Sequence, residues 1–235
     1  KLGLSLSMLT LGNGSNDVLE LAAREFLTPE HEAVFSEHAF AVYPIVTQAV
    51  GATARIARAN PPDQVMPYGH DPAALLALIN DRTRIVFIAN PNNPTGTWLK
   101  TAELETLLAA VPKRVIVVVD EAYSEYVETE ADCPNTLNWL DRFPNLIVTR
   151  TFSKAYGLAG LRVGYAVSHP QVADLLNRVR QPFNVNSLAL VAAAAALDDV
   201  EHLERGRATN RAGMKQLQDA CRQWGLSWLP SAGNF

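Results

Sequence analysis

Residues 115–126 read VIVVVDEAYSEY. Five apolar β-branched residues in a row, Val115–Val119, run straight into two acids, Asp120 and Glu121. A strand with one wet face alternates apolar and polar side chains. This block is apolar throughout, as a strand covered on both faces must be. Strands of that kind belong to largely parallel sheets with helices on either side, where ligands gather at the C-terminal strand ends.

The same kind of block recurs at Ala33–Ser36, Ala54–Ala57, Ile85–Ala89, Leu146–Thr149 and Val163–Val167. Helical patterns lie between them at Asp17–Phe26, Tyr43–Val50, Pro72–Ile79, Thr101–Val111 and Pro170–Arg180. Two carry start signals. Asp71 stands as a cap before Pro72 at the first helical position, and Thr101 opens a first turn that contains Glu103. The alanine run Ala192–Ala196 reads as a buried helix, and Asp199–Trp224 as a long charged helix whose polar face is solvated. The alternation predicts an α/β fold, an α/β/α sandwich with a mainly parallel sheet. Residues 1–200 are expected to form this domain. Residues 201–235 are expected to be a linker helix and the beginning of a smaller C-terminal domain. Lys1 at the start and SAGNF at the end read as cuts inside a longer protein.

Bulk composition narrows the function classes. A net charge of −4, with no basic run, leaves no electrostatic footprint for nucleic acid or an anionic membrane surface. No apolar stretch reaches the roughly 18–20 residues that span a bilayer. KLGLSLSMLTLG lacks the apolar core and cleavage site of a signal peptide. Cys133 and Cys221 fit neither a metal spacing nor a disulfide framework, so a reducing compartment is expected and each reads as an ordinary thiol. The five histidines are scattered without metal-ligand spacing, so no metal site is expected.

The chemistry-bearing residues cluster at the ends of the strand blocks. LGNGSNDVLEL (11–21) is a glycine turn entering a helix, where the backbone N–H groups of Gly14, Ser15 and Asn16 suit a phosphate. A plain helix cap by Ser15 or Asn16 is the alternative. IANPNNPTGTWL (88–99) is a rigid, turn-rich loop in which Asn93-Pro94 is a candidate cis bond. A structural turn explains its prolines and glycine but not Asn90, Asn92 and Asn93 together. Asp120 closes a buried strand, where an acid needs a cation or strong donors. Tyr123 brings a hydroxyl to the same place. Otherwise Asp120 is a helix cap and Glu121 a surface residue. TFSKAYGLAGLRVGYAV (151–167) sets Thr151, Ser153 and Lys154 after one apolar block, with Arg162 before the next. A lysine held in apolar surroundings favours its uncharged amine and becomes a nucleophile for a carbonyl, although lysines after strands commonly reach out to solvent. Arg162 suits a phosphate or carboxylate, and Gly157, Gly160 and Gly164 allow backbone to approach both cations.

One small molecule carrying an aldehyde, a phosphate and a basic ring nitrogen would use all of these groups, and pyridoxal 5′-phosphate (PLP) is such a molecule. LGNGSND, NPNNPTG, DEAYSEY, TFSKAYGLAGLRVGY, RQPFNVNSLA and the terminal GNF, in that order, resemble the fold-type I PLP-dependent aminotransferases, and within them the histidinol-phosphate aminotransferases. The resemblance implies that Lys154 condenses with the cofactor aldehyde and later moves the substrate α-proton. It implies that Asp120 pairs with the ring nitrogen and that Asn93 and Tyr123 bond the ring oxygen. Phe40 would stack on the ring. Gly14, Ser15, Asn16, Thr151, Ser153 and Arg162 would hold the phosphate. It further implies a cytoplasmic homodimer with shared active sites, acting on a small-molecule amino donor and a 2-oxo acid. The expected pair is L-histidinol phosphate with 2-oxoglutarate. The family's N-terminal lid and the C-terminal arginine for the substrate carboxylate are expected to lie outside this chain, which by itself would turn over poorly. Alternatives are an aromatic amino-acid aminotransferase, a carbon–sulfur lyase, a phosphothreonine decarboxylase, or a non-catalytic regulatory module of the same fold. A dinucleotide-binding fold is excluded because no G-x-G-x-x-G follows the first strand.

Overall fold

One seven-stranded sheet organises the chain, which a computed structural model describes over residues 3–127 and 131–235. Its strands are β1 (Leu9–Gly12), β2 (Glu32–Ser36), β3 (Thr53–Ala57), β4 (Thr83–Ala89), β5 (Ile116–Asp120), β6 (Leu146–Thr151) and β7 (Gly164–Ser168). They lie in the order β1-β7-β6-β5-β4-β2-β3. Strands β3, β2, β4, β5 and β6 run parallel, and β7 is antiparallel to both β6 and β1. The helices are α1 (Ser15–Phe26), α2 (Val42–Ala49), α3 (Pro72–Ala77), α4 (Thr101–Ala110), α5 (Pro170–Val179), α6 (Ser187–Ala196) and α7 (Val200–Gln223).

The two-sided burial read from the apolar blocks is what makes the sandwich. Along β4, Ile85, Phe87 and Ala89 enter one core with α1, α2 and α5, while Val86 and Ile88 enter a second core with α3, α4 and α6. The start signals are in place. Asp71 Oδ1 accepts the Ala73 and Ala74 N–H groups at 2.9 and 3.1 Å, with Pro72 leading α3. Helix α4 starts at Thr101 as read, and its N-cap residue is Lys100, whose N–H donates to Glu103 Oε2 at 2.8 Å.

Three elements depart from expectation. Strand β1 is absent from the sequence reading because four residues on a sheet edge leave too short an apolar pattern. Strand β3, read as a covered block, is an edge strand with four of its five residues exposed, since it pairs on one side alone. Helix α6 is mostly not buried: Ala189 and Ala193 are its buried residues, and Leu188 and Val191 are 74% and 71% exposed. An all-apolar run has no polar stripe to report which face turns inward. Among the described residues no helix is long and apolar enough to cross a membrane.

These placements have a direct stability test. Leu104 of α4 is fully buried, so Leu104→Ala should destabilise the chain by about 2–5 kcal/mol in urea unfolding. Val191→Ala on α6 should change it by less than about 0.5 kcal/mol.

Candidate active site

The parallel strands deliver Ala89, Asp120 and Thr151 to one edge of the sheet, with Ala89 opposite Asp120 and Asp120 opposite Thr149. The antiparallel β7 begins at that same edge, since Gly164 lies opposite both Thr151 and Gly12. Arg162, which precedes a strand, therefore meets residues that follow strands. Strand β1 ends there too and feeds α1. The result is a cavity of about 220 Å³ lined by Ser15, Asn16, Phe40, Asn93, Asp120, Tyr123, Thr151, Ser153, Lys154 and Arg162, with Ala89, Pro91 and Ala122 completing its wall.

Cations and dipoles gather on one side. The α1 N-cap is Gly14, at φ 83°, which has no side chain to occupy the first-turn N–H groups of Ser15 and Asn16. Gly14 itself lies behind the wall, and a Cβ there would overlap the Arg162 guanidinium. A Cβ on Gly164 would fall 2.7 Å from the Gly14 carbonyl carbon and 3.0 Å from the Arg150 oxygen, so the helix can meet the strand this closely only at a glycine. Arg162 is itself left-handed, at φ 57°. Its Nη1 donates to Ser153 Oγ at 3.2 Å and to the Ala159 carbonyl at 3.0 Å, and among the described residues no carboxylate pairs with it. The Ser153 N–H donates to Thr151 Oγ1 at 3.1 Å, which shapes the turn.

On the other side sits Asp120, buried and, among the described residues, without a cation in contact. Thr149 Oγ1 donates to its Oδ1 at 2.9 Å and Tyr43 OH to its Oδ2 at 3.2 Å. Burial nevertheless raises its pKa from 3.8 to about 6, against the pull of these donors and the Ala122 N–H. Asn93 Nδ2 donates to Tyr123 OH at 3.0 Å, leaving the Tyr123 proton to point onward. Phe40 is half-buried and sets its edge on Tyr43 at 5.9 Å.

Lys154 lines the cavity with Nζ 5.2 Å from the Tyr123 ring centroid, yet the side chain is exposed. Enclosure in apolar surroundings, the sequence expectation, is not met among the described residues. Gly157, Ala159 and Gly160, which follow it in the chain, are exposed as well.

Other sequence readings change on contact with the structure. Asn90 and Asn92 do not face the cavity: Asn90 bonds the Leu99 backbone in both directions, at 3.2 and 2.7 Å, and Asn92 donates to His38 O and Thr95 Oγ1. They tie the loop that presents Asn93. Both Asn90-Pro91 and Asn93-Pro94 are cis. Glu121 is not a surface residue. It is 1% exposed, forked by Arg150 Nε and Nη2 at 3.0 and 2.6 Å, and accepts the Thr136 N–H at 2.8 Å. Tyr43 and Thr149, which hold Asp120, had no local signal. A tyrosine in an apolar helix pattern reads as core, and its partner lies 77 residues away. His70 is likewise unassigned by sequence: buried, it donates from Nε2 to the Ala89 carbonyl at 2.9 Å, and desolvation lowers its pKa to about 4. Among the described residues no cluster could hold a metal ion.

Residues 5–235 match the family model for aminotransferase class I and II. The chain belongs to that family. It is 62% identical to histidinol-phosphate aminotransferase 2 of Pseudomonas fluorescens, over 99% of this chain and 61% of that protein. It is 61% identical to the protein of the same name from Pseudomonas aeruginosa, over 97% and 60%. The crystal structure of histidinol-phosphate aminotransferase from Sinorhizobium meliloti in complex with pyridoxal-5′-phosphate superposes with a TM-score of 0.90 at 29% identity, covering 99% of this chain and 61% of that one. Aspartate aminotransferase from Thermus thermophilus with maleate gives a TM-score of 0.88 at 20% identity, over 99% and 61%, a likeness of fold alone. The chain thus spans 61% and 60% of the length of these two curated relatives.

In this aminotransferase fold the buried acid leaves a mark on stability. An acid whose folded pKa lies above its unfolded one holds its proton more tightly when folded. Its contribution therefore falls as pH rises between 3.8 and about 6, by up to about 3 kcal/mol. Asp120→Asn should remove that slope and stabilise the cofactor-free chain at pH 7.5, as read by urea unfolding across pH. A wild-type curve that rises through this window would contradict the assignment.

Proposed function

We propose that this chain is the cofactor-binding part of a PLP-dependent aminotransferase that exchanges the amino group of L-histidinol phosphate for the keto oxygen of 2-oxoglutarate, giving imidazole-acetol phosphate and L-glutamate. The observation that carries the proposal is the buried Asp120 carboxylate, with no cation in contact among the described residues, sharing a cavity of about 220 Å³ with Lys154 and Arg162. A ligand that is cationic at one end and anionic at the other, with a carbonyl between, answers all three.

The residues fit the cofactor. A helix start without a side-chain cap and an arginine without a carboxylate partner among the described residues suit a phosphate. Ser15, Asn16, Thr151, Ser153 and Arg162 would hold that group, with Gly14 giving the arginine room. Asp120 would keep a proton on the ring nitrogen, and the Asn93–Tyr123 pair would hydrogen-bond the ring oxygen. Phe40 would cover one ring face. When bound, PLP supplies an aldehyde that carries the amino group and a protonated ring that takes up carbanion charge. Lys154 would anchor that aldehyde and, once freed by substrate, would serve as the base that moves the α-proton.

Residues 1–200 would be the cofactor-binding domain and 201–235 the start of a smaller one. The site residues, the amino donor and 2-oxo acid, and a cytoplasmic homodimer belong to the same proposal. It is supported by the names of the relatives, by the free thiols Cys133 and Cys221, and by exposed apolar side chains such as Phe183 and Val191.

The full-length protein incubated with PLP and reduced with borohydride should carry one cofactor per chain on the Lys154 peptide, read by mass spectrometry. Lys154→Ala should carry none, and activity should drop by several orders of magnitude. Fixation at another lysine would sink the assignment. Among amino donors tested with 2-oxoglutarate, histidinol phosphate should show the highest kcat/KM; preference for an aromatic amino acid would replace the substrate.

A further inference from the structure

We propose that Tyr43 and Thr149 are positioning residues for Asp120: their two hydroxyls, one on each carboxylate oxygen, keep it ionised and aimed so that it can hold a proton on a bound ring nitrogen. The role toward a ring rests on the PLP reading above; the hydroxyl pair can be tested without it.

The geometry is specific. Thr149 Oγ1 donates to Oδ1 at 2.9 Å and Tyr43 OH to Oδ2 at 3.2 Å. Both donors are fully buried and neither can swing away. Thr149 sits on β6 directly opposite Asp120 on β5. The Tyr43 ring lies flat on Phe87, with centroids 4.9 Å apart and planes 7° apart, and takes the edge of Phe40. One side chain thus sets both the acid and the aromatic ring of the cavity.

The electrostatics explain why two hydroxyls are needed. The groups around Asp120 are Tyr43 from α2, Thr149 from β6, the Ala122 N–H and the like-charged Glu121 next in sequence, with Tyr123, Lys154 and Arg162 along the cavity wall. Burial and Glu121 push the Asp120 pKa up; the two hydroxyls and the N–H pull it down. Burial and the neighbouring carboxylate push the Tyr43 hydroxyl well above the ordinary phenol range, so it remains a donor. Without the two hydroxyls the acid would take up its own proton near neutral pH. A neutral acid cannot hold a proton on a ring nitrogen.

The test uses the full-length protein. With ¹³C-labelled aspartate in the cofactor-free form, the Asp120 carboxyl resonance is assigned by its loss in Asp120→Asn and followed against pH. The wild-type midpoint is expected at about 6. Tyr43→Phe and Thr149→Val should each raise it by about one unit, and Thr149→Ser, which keeps a hydroxyl, should leave it in place. With PLP added, the first two variants should bind about tenfold more weakly and lose kcat with little change in KM for the amino donor. Thr149→Ser should behave as wild type. An unmoved midpoint in both hydroxyl-deleting variants overturns the proposal. If the midpoints move as expected but the wild type takes up no PLP, the functional reading fails and the hydroxyl pair stands.

Discussion

A carboxylate buried at the end of the central strand, with donors on both oxygens and, among the described residues, no cation in contact, is the constraint around which the rest of the site is organised. Desolvation opposes the charge of Asp120, and hydrogen bonds from Tyr43 and Thr149 only partly offset it. The protein alone leaves that charge under-compensated. A ligand bringing a positive charge to this position gains what the protein lacks, so the same feature that weakens the fold makes it receptive. This is the usual relation between stored instability and function in preorganised sites.

Sheet topology is what brings opposite charges into one cavity without letting them cancel. Five parallel strands put Asp120 and Thr151 on one edge, and the antiparallel β7 turns Arg162 back to it. The α1 N-terminus arrives on β1 beside Arg162, at a contact that two glycines, Gly14 and Gly164, make sterically possible. Asp120, meanwhile, is held from α2 and β6. Arg162 and the helix dipole therefore remain available to an anion.

A neighbouring pair of acids illustrates how burial sorts identical chemistry. Asp120 and Glu121 are adjacent, yet β-pleat sends them to opposite sides of the strand end. Glu121 meets the Arg150 fork and the Thr136 backbone and becomes structural cement between β5, β6 and the segment around Thr136. Asp120 meets two hydroxyls and the Ala122 N–H, all neutral donors, and stays open to a ligand. Similarly, of the three asparagines in IANPNNPTG, Asn90 is spent on the Leu99 backbone and Asn92 on the His38 carbonyl and the Thr95 hydroxyl, and the loop so tied presents the third.

What the sequence determined by itself was the architecture and the edge at which chemistry would sit. Apolar blocks encode two-sided burial, Asp-Pro and Gly-rich turns encode element boundaries, and polar residues at strand ends fall where a parallel sheet opens. These are local properties, legible in a few residues. Only the tertiary structure decided which polar groups face the cavity and which are spent on packing, as with Asn93 against Asn90, or Asp120 against Glu121. It also decided that α6 lies largely exposed, that Lys154 lines the cavity with an exposed side chain, and that Tyr43 reaches an aspartate 77 residues away. Partners of that kind are set by how helices settle on a twisted sheet, and no short stretch of chain contains that information.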